Sequence, residues 1–160
     1  MTHKLETAAH VALLAPVPLE HLKDGREVSQ REGRVAFGSM KYEFFLKLDD
    51  LRKGMPIDVY IYASHADGHH DPEVTWRARY LRYVKSDLGA HPDEMKFRPP
   101  STAKYPGDNS GHWAVFWEVE DLQELGLEHR LSLGDLTGYG KKKAYGYAFR
   151  PEGPMLIEHP

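Results

Sequence analysis

Two stretches of two-residue alternation narrow the folds open to this chain. From Ile57 to Ser64, Val59, Ile61 and Ala63 fall on one side and Tyr60, Tyr62 and Ser64 on the other, which is the side-chain period of a strand in a sheet. From Val74 to Val84 the pattern repeats, with Val74, Trp76, Ala78 and Tyr80 opposed to Thr75, Arg77, Arg79 and Leu81. Further strands are expected at His10 to Val17, at Val35 to Phe37 and at Met155 to Ile157, and HWAVFWEVE sets Trp113, Val115, Trp117 and Val119 on one face.

Helical periodicity is weaker. Leu19 and Leu22 share one face of a short helix that Asp24-Gly25 should stop. Ser39 can cap a second helix, with Phe44, Phe45, Leu48 and Leu51 on one face and Lys47, Asp49, Asp50 and Arg52 on the other, ended by Gly54 and Pro56. Asp121 to Leu125 reads as a helical turn or two before Gly126. Strands interleaved with so few helices predict an α+β fold, a small mixed β-barrel with two or three short helices, rather than a doubly wound parallel sheet. The 160 residues suit one domain over 1–160, with 127–160 as a C-terminal extension.

The chain has no cysteine, which excludes disulfide scaffolds, thiol nucleophiles, iron–sulfur clusters and cysteine-based zinc sites. Its formal charge of −3 argues against general attraction to phosphate, so a nucleic-acid role would need a local basic patch. No stretch approaches the ~20 apolar residues of a membrane span, and the first residues lack the pattern of an export signal. A soluble, cytoplasmic protein with no membrane partner and no cofactor is expected.

The order of elements carries a resemblance. VALLAPVPLEHLKDGRE, then GMPIDVYIYAS, VTWRARYLRYV and HWAVFWEVEDL, with HPDEMKFRPPS and Asp108 ahead of the last strand, resemble the ASCH and EVE branches of the PUA-like superfamily over about residues 10–125. Where ASCH proteins carry Gly-x-Lys-x-x-Glu-x-Arg, this chain reads Gly25-Arg26-Glu27-Val28-Ser29-Gln30-Arg31-Glu32. The resemblance implies a small β-barrel with a cleft beside its first helix. It also implies binding of RNA, of modified bases or of a nucleoside-like molecule, or hydrolysis of such substrates.

Candidate residues follow from chemistry. An extruded base is held between flat side chains and read along its edge, so Tyr62, Trp76 and Trp113 are expected as stackers, with Tyr60 and Trp117 in the same aromatic set. The competing reading makes all five core residues. Ser39 and Met40, at a strand-to-helix junction, are expected to offer hydrogen bonds to the base edge, or Ser39 simply caps the helix. Arg77 and Arg79 share a strand face and, with Arg98 and Lys104, are the expected phosphate contacts. For Arg77 and Arg79 the alternative is a solvated, charged strand face.

The long stretch from Lys85 to Gly111 is expected to be functional or mobile. Catalysis, in the hydrolase alternative, falls to Lys23, Arg26 and Glu27 acting on a water. His65, His69 and His70, with Asp67 and Asp71, are the sole cluster with metal-ligand chemistry, but their spacing matches no closed site and a Gly-containing hairpin loop with surface histidines is the expected reading, with no metal. A protein-interaction module is the third alternative, with a protein partner in place of nucleic acid.

Overall fold

The computed structural model describes residues 7–8, 10–65 and 72–160. Its strands are β1 (Val11–Pro18), β2 (Val35–Ser39), β3 (Ile57–Ser64), β4 (Glu73–Val74), β5 (Trp76–Lys85), β6 (Val115–Glu124), β7 (Leu131–Ser132) and β8 (Met155–Glu158), and its two α-helices are α1 (Leu19–Glu32) and α2 (Tyr42–Arg52). Six strands form one mixed sheet in the order β2-β6-β5-β3-β1-β8, and β4 pairs with β7 alone. Only β1 and β3 run parallel, with Leu13 beside Val59 and Val17 beside Ala63. The sheet curls into a half-barrel, so the α+β class with a mixed sheet expected from the alternation is what the chain adopts.

Both faces of the sheet are covered, by different materials. On one face Leu13, Val59, Ile61, Trp76, Tyr80, Trp117 and Val119 join Leu22 and Val28 of α1 and Phe45 and Leu48 of α2 in the main core. On the other face, Ala12, Leu14, Tyr60 and Ile157 are covered by Leu133 and Leu136, and Ala36 and Phe116 by Phe97 from the 85–114 segment. The two-residue alternation in β3 therefore separates two apolar environments, Val59 and Ile61 facing one core and Tyr60 the other. The segment after residue 127 is built into this arrangement, since β8 pairs antiparallel with β1.

Three local expectations are corrected. α1 does not stop at Asp24-Gly25; it runs to Glu32 and is capped by Gly33 in the left-handed conformation (φ 83°), whose N–H donates to the Ser29 carbonyl. Gly25 is instead a close-packing position, where an added Cβ would sit 3.5–3.6 Å from Leu122, Pro99 and Val35. Asp121 to Leu125 is not helical either. β6 continues to Glu124, with Asp121 at φ 54° beside a register shift opposite Arg77 and Arg79, the signature of a β-bulge. The predicted strand over 74–84 is also broken at Thr75, so that Val74 pairs with Leu131 while Trp76 begins β5.

The long 85–114 stretch is a fixed wall. The Ala36 N–H donates to the Phe97 carbonyl (2.7 Å), and the Arg98 guanidinium returns a hydrogen bond to the Ala36 carbonyl (2.7 Å). His91 accepts the Asp93 N–H at Nδ1 (3.0 Å) and so donates from Nε2 to Glu118 (2.7 Å). Glu118, fully buried on β6, also receives Arg82 (2.7 Å), with Arg34 3.2 Å away at an angle that makes no hydrogen bond. Burial pushes the Glu118 carboxyl up, but the bonds from His91 and Arg82 and the charges of Arg82 and Arg34 outweigh it and hold it below the usual carboxylate range. Among the described residues no helix is long and apolar enough to cross a membrane.

Candidate functional site

Where β1 hands over to α1, the wall formed by residues 98–113 stands off the sheet and leaves a cleft. Its outer part, about 650 Å³, is lined by Leu19, Glu20, Lys23, His65 and Tyr105 among others. A narrower slot of about 200 Å³ runs inward between Phe37, Trp113 and Trp117, with Arg98 and Thr102 on its lining. Pro18, His21 and Asp108 line both, so they stand at the junction. The outer cleft has the size of a small-molecule site, and the inner slot is a recess lined in part by aromatic side chains.

The aromatic wall is held by one close approach. Gly38, in β2, lies under the Trp113 ring so closely that an added Cβ would come within 2.4 Å of Trp113 Cδ1. The Trp113 indole N–H donates to Asp108 Oδ1 (3.1 Å), and His112 stacks its edge on the same ring at 4.3 Å between centroids. Trp113 is half-buried, whereas Trp117 is in the core and packs on Phe37 and Phe45.

At the junction His21 is fixed by a chain of hydrogen bonds that the sequence spreads over eighty residues. Ser101 Oγ lies 2.9 Å from Asp24 Oδ1 and 2.6 Å from His21 Nδ1. An ionised Asp24 only accepts, so Ser101 donates to it and accepts the Nδ1–H of His21. Nε2 of His21 is thereby the ring's acceptor, 3.9 Å from Asp108 Oδ2. Burial pushes the His21 imidazole below its usual value, against the pull of Glu20, Asp108 and Asp24 and with the help of Arg98, which keeps it neutral at pH 7. Tyr105 sets its ring edge-on to His21 and donates its hydroxyl to Glu20 at the rim.

Arg98 contributes charge to the slot from within the protein. It is 2% exposed and donates to Asn109 Oδ1, the Ala36 carbonyl and the Asp108 carbonyl, above the Phe116 ring. No carboxylate among the described residues is within ion-pairing distance of it. Burial pushes its pKa down to about 10, against the pull of the Asp108 charge, so the guanidinium stays charged at neutral pH.

Of the residues expected from sequence, the structure brings only some to this cleft. Trp113 lines the slot. Trp76 does not: it is 1% exposed in the main core, because its position on β5 faces the helices. Tyr62 is half-buried against the second core, and Tyr60 is buried in that core beneath the Arg77 guanidinium, where it lines a separate pocket. Ser39 and Met40 line neither cleft nor slot; the Ser39 hydroxyl accepts the Lys41 N–H (3.1 Å) as a local turn into α2, and Met40 is exposed.

The expected phosphate contacts do not gather at this cleft either. Arg77 pairs with Asp58 (3.4 Å) and Arg79 with Glu120 (3.1 Å), so cross-strand acids already neutralise that row. Arg98 is buried, and of the four only Lys104 reaches the rim, 3.4 Å from Glu20. Lys23 lines the cleft, Arg26 borders a different surface depression and stands over Trp76, and Glu27 is exposed, so the three do not converge. His65 lines the outer cleft, while Asp67, His69, His70 and Asp71 lie outside the described residues. Among the described residues no three acidic or histidine side chains are arranged to hold a metal ion.

What the sequence reading missed is the junction itself: His21, Asp24 and Ser101, with Asp108 present only as part of a motif. The one local signal was the spacing of His21 and Asp24 on a single helical face; Ser101 carried none. The sequence matches no known family model and no curated protein.

Proposed function

We propose that this protein is a PUA-like binding module that takes a nucleobase, from a nucleic acid or a nucleotide, into the slot beside Trp113. The observation that carries the reading is the slot's construction: Phe37, Trp113 and Trp117 wall a narrow recess whose mouth presents the polar edges of His21 and Asp108. Flat rings gain stacking on such walls, and hydrogen-bonding groups at one edge supply selection. A cleft beside the first helix and a curled mixed sheet support the PUA-like part of the reading. Lys23 and Lys104 at the rim, in place of the arginines of β5, are the groups placed to meet a phosphate.

A thermal-shift screen against nucleosides, modified nucleosides and short oligonucleotides tests the proposal, since a ligand selective for the folded state raises its melting temperature. A rise with base-containing compounds that Trp113→Ala abolishes is the expected result. No rise with any of them at millimolar concentration removes the proposal.

A further inference from the structure

Resting on the base-binding reading, we propose that the slot selects a base bearing an exocyclic amine, whose two hydrogens bridge His21 Nε2 and Asp108 Oδ2. Both atoms are acceptors. His21 spends its ring N–H on Ser101, whose own proton goes to Asp24, and Asp108 spends its other oxygen on the Trp113 indole. Neither His21 Nε2 nor Asp108 Oδ2 has a hydrogen-bond donor among the described residues. At 3.9 Å apart they are too far for a bond to each other, and two acceptors have no proton to share.

The gap matches one chemistry. A nitrogen about 2.9 Å from both atoms would see them roughly 85° apart, so the two hydrogens of a planar amine would each miss linearity by about 25°, inside the range of a good hydrogen bond. A ring N–H has one hydrogen and leaves one acceptor unpaired. A carbonyl oxygen brings a third acceptor to the gap and is repelled. An ammonium group would also satisfy the acceptors, and the acids around His21 outweigh Arg98 there, but it brings no flat ring to lie against Trp113 in the same slot. The ligand class is therefore a neutral amino-bearing base of cytosine or adenine type, discriminated from its keto counterpart, uracil or hypoxanthine.

The test is calorimetric titration of the full chain with cytidine against uridine, adenosine against inosine, and N4,N4-dimethylcytidine, which keeps the cytosine ring but carries no amine hydrogen. The amino member of whichever pair enters the slot is expected to bind at least about tenfold more tightly, because its keto partner leaves buried acceptors unpaired. The dimethyl compound is expected to bind no better than uridine. Asp108→Asn keeps the shape and an acceptor for Trp113 while turning an N–H toward His21, so the amino-to-keto ratio should collapse to within about twofold, with the melting temperature showing that the variant is folded.

Equal affinity for the amino and keto members overturns this inference and leaves the base slot standing. Failure of every compound to bind at millimolar concentration overturns both. A preference for the keto members contradicts the assignment of His21 Nε2 as an acceptor.

Discussion

Replacing Gly38 by alanine is expected to dislodge Trp113 and to destabilise the fold, and the cost can be worked from the structure. The new Cβ would lie 2.4 Å from Trp113 Cδ1 and 2.5 Å from Cγ and Nε1. Non-bonded carbons rest about 3.5–4.0 Å apart, so something must yield by at least about 1 Å. β2 is pinned: Ala36 is tied to Phe97 and Arg98, and the Ser39 carbonyl accepts the Ala114 N–H. The indole must move, and its 3.1 Å bond to Asp108 goes with it.

Overpacking of this kind costs about 1–3 kcal/mol, and a hydrogen bond to a carboxylate contributes about 1.5–3 kcal/mol; relaxation shares the two, so a loss of roughly 2–4 kcal/mol is expected. In a Trp113→Ala background the obstacle is absent, and alanine should be neutral or stabilising by about 0.5–1 kcal/mol through the reduced freedom of the unfolded chain. Urea denaturation of the four proteins of this cycle gives the coupling directly. If Gly38→Ala costs the same in both backgrounds to within about 0.5 kcal/mol, the ring is not seated on β2 and the slot described above does not exist.

Other outcomes follow from the same geometry. Gly25→Ala should be tolerated or stabilising by up to about 1 kcal/mol, because the helix interior gains propensity and the Cβ meets only ordinary contacts at 3.5–3.6 Å; a loss of stability on denaturation would mean that α1 sits closer to β6 than observed. Glu118→Ala should cost about 3 kcal/mol, at the lower end for breaking a buried pair, because Arg82 and Arg34 reach solvent while the His91 donor stays buried. Stability should also fall in two stages on acidification. The folded His21 holds its proton less tightly than an unfolded imidazole, so its contribution is lost as pH drops below about 6.5 toward its lowered folded value. Glu118 and Asp58, both held below the usual carboxylate range, contribute above about pH 4 and lose that contribution as pH falls through their folded values. His21→Gln should remove the first stage alone in a melting-temperature series against pH.

The parts of this fold that could be read from the sequence are those set by local periodicity. Ile57–Ser64 is the strand that the alternation of Val59 and Ile61 with Tyr60 and Tyr62 predicts, and α2 ends at Arg52 ahead of Gly54 as its capping residues require. Alternation could not say which face was open, because both faces of β3 are buried. Trp76 and Trp113 looked equivalent because each falls in a stretch whose alternation predicts a strand; in the structure β6 begins only at Val115, and Trp113 packs beside Ala36, Phe97 and Phe116 while Val115, Trp117 and Val119 join the main core. Gly25 misled because a glycine that permits close helix–sheet contact reads like one that ends a helix. Arg77 and Arg79 looked like a free basic row because their neutralising partners, Asp58, Glu120 and Asp121, belong to other strands. The junction of His21, Ser101 and Asp108 depends on long-range closure, and no local spacing encodes it.

The base slot is tested most directly by the indole N–H resonances in a nitrogen–proton correlation spectrum, followed while a nucleoside is titrated in. The chain has three tryptophans, and the structure separates them: Trp113 lines the slot and is half-buried, Trp117 lines it but is almost wholly buried in the main core, and Trp76 lies in that core and does not line the slot. Saturable movement of the Trp113 signal, with Trp117 following weakly and Trp76 unmoved, is the expected result. Three stationary signals at millimolar cytidine and adenosine, or movement confined to Trp76, would contradict it.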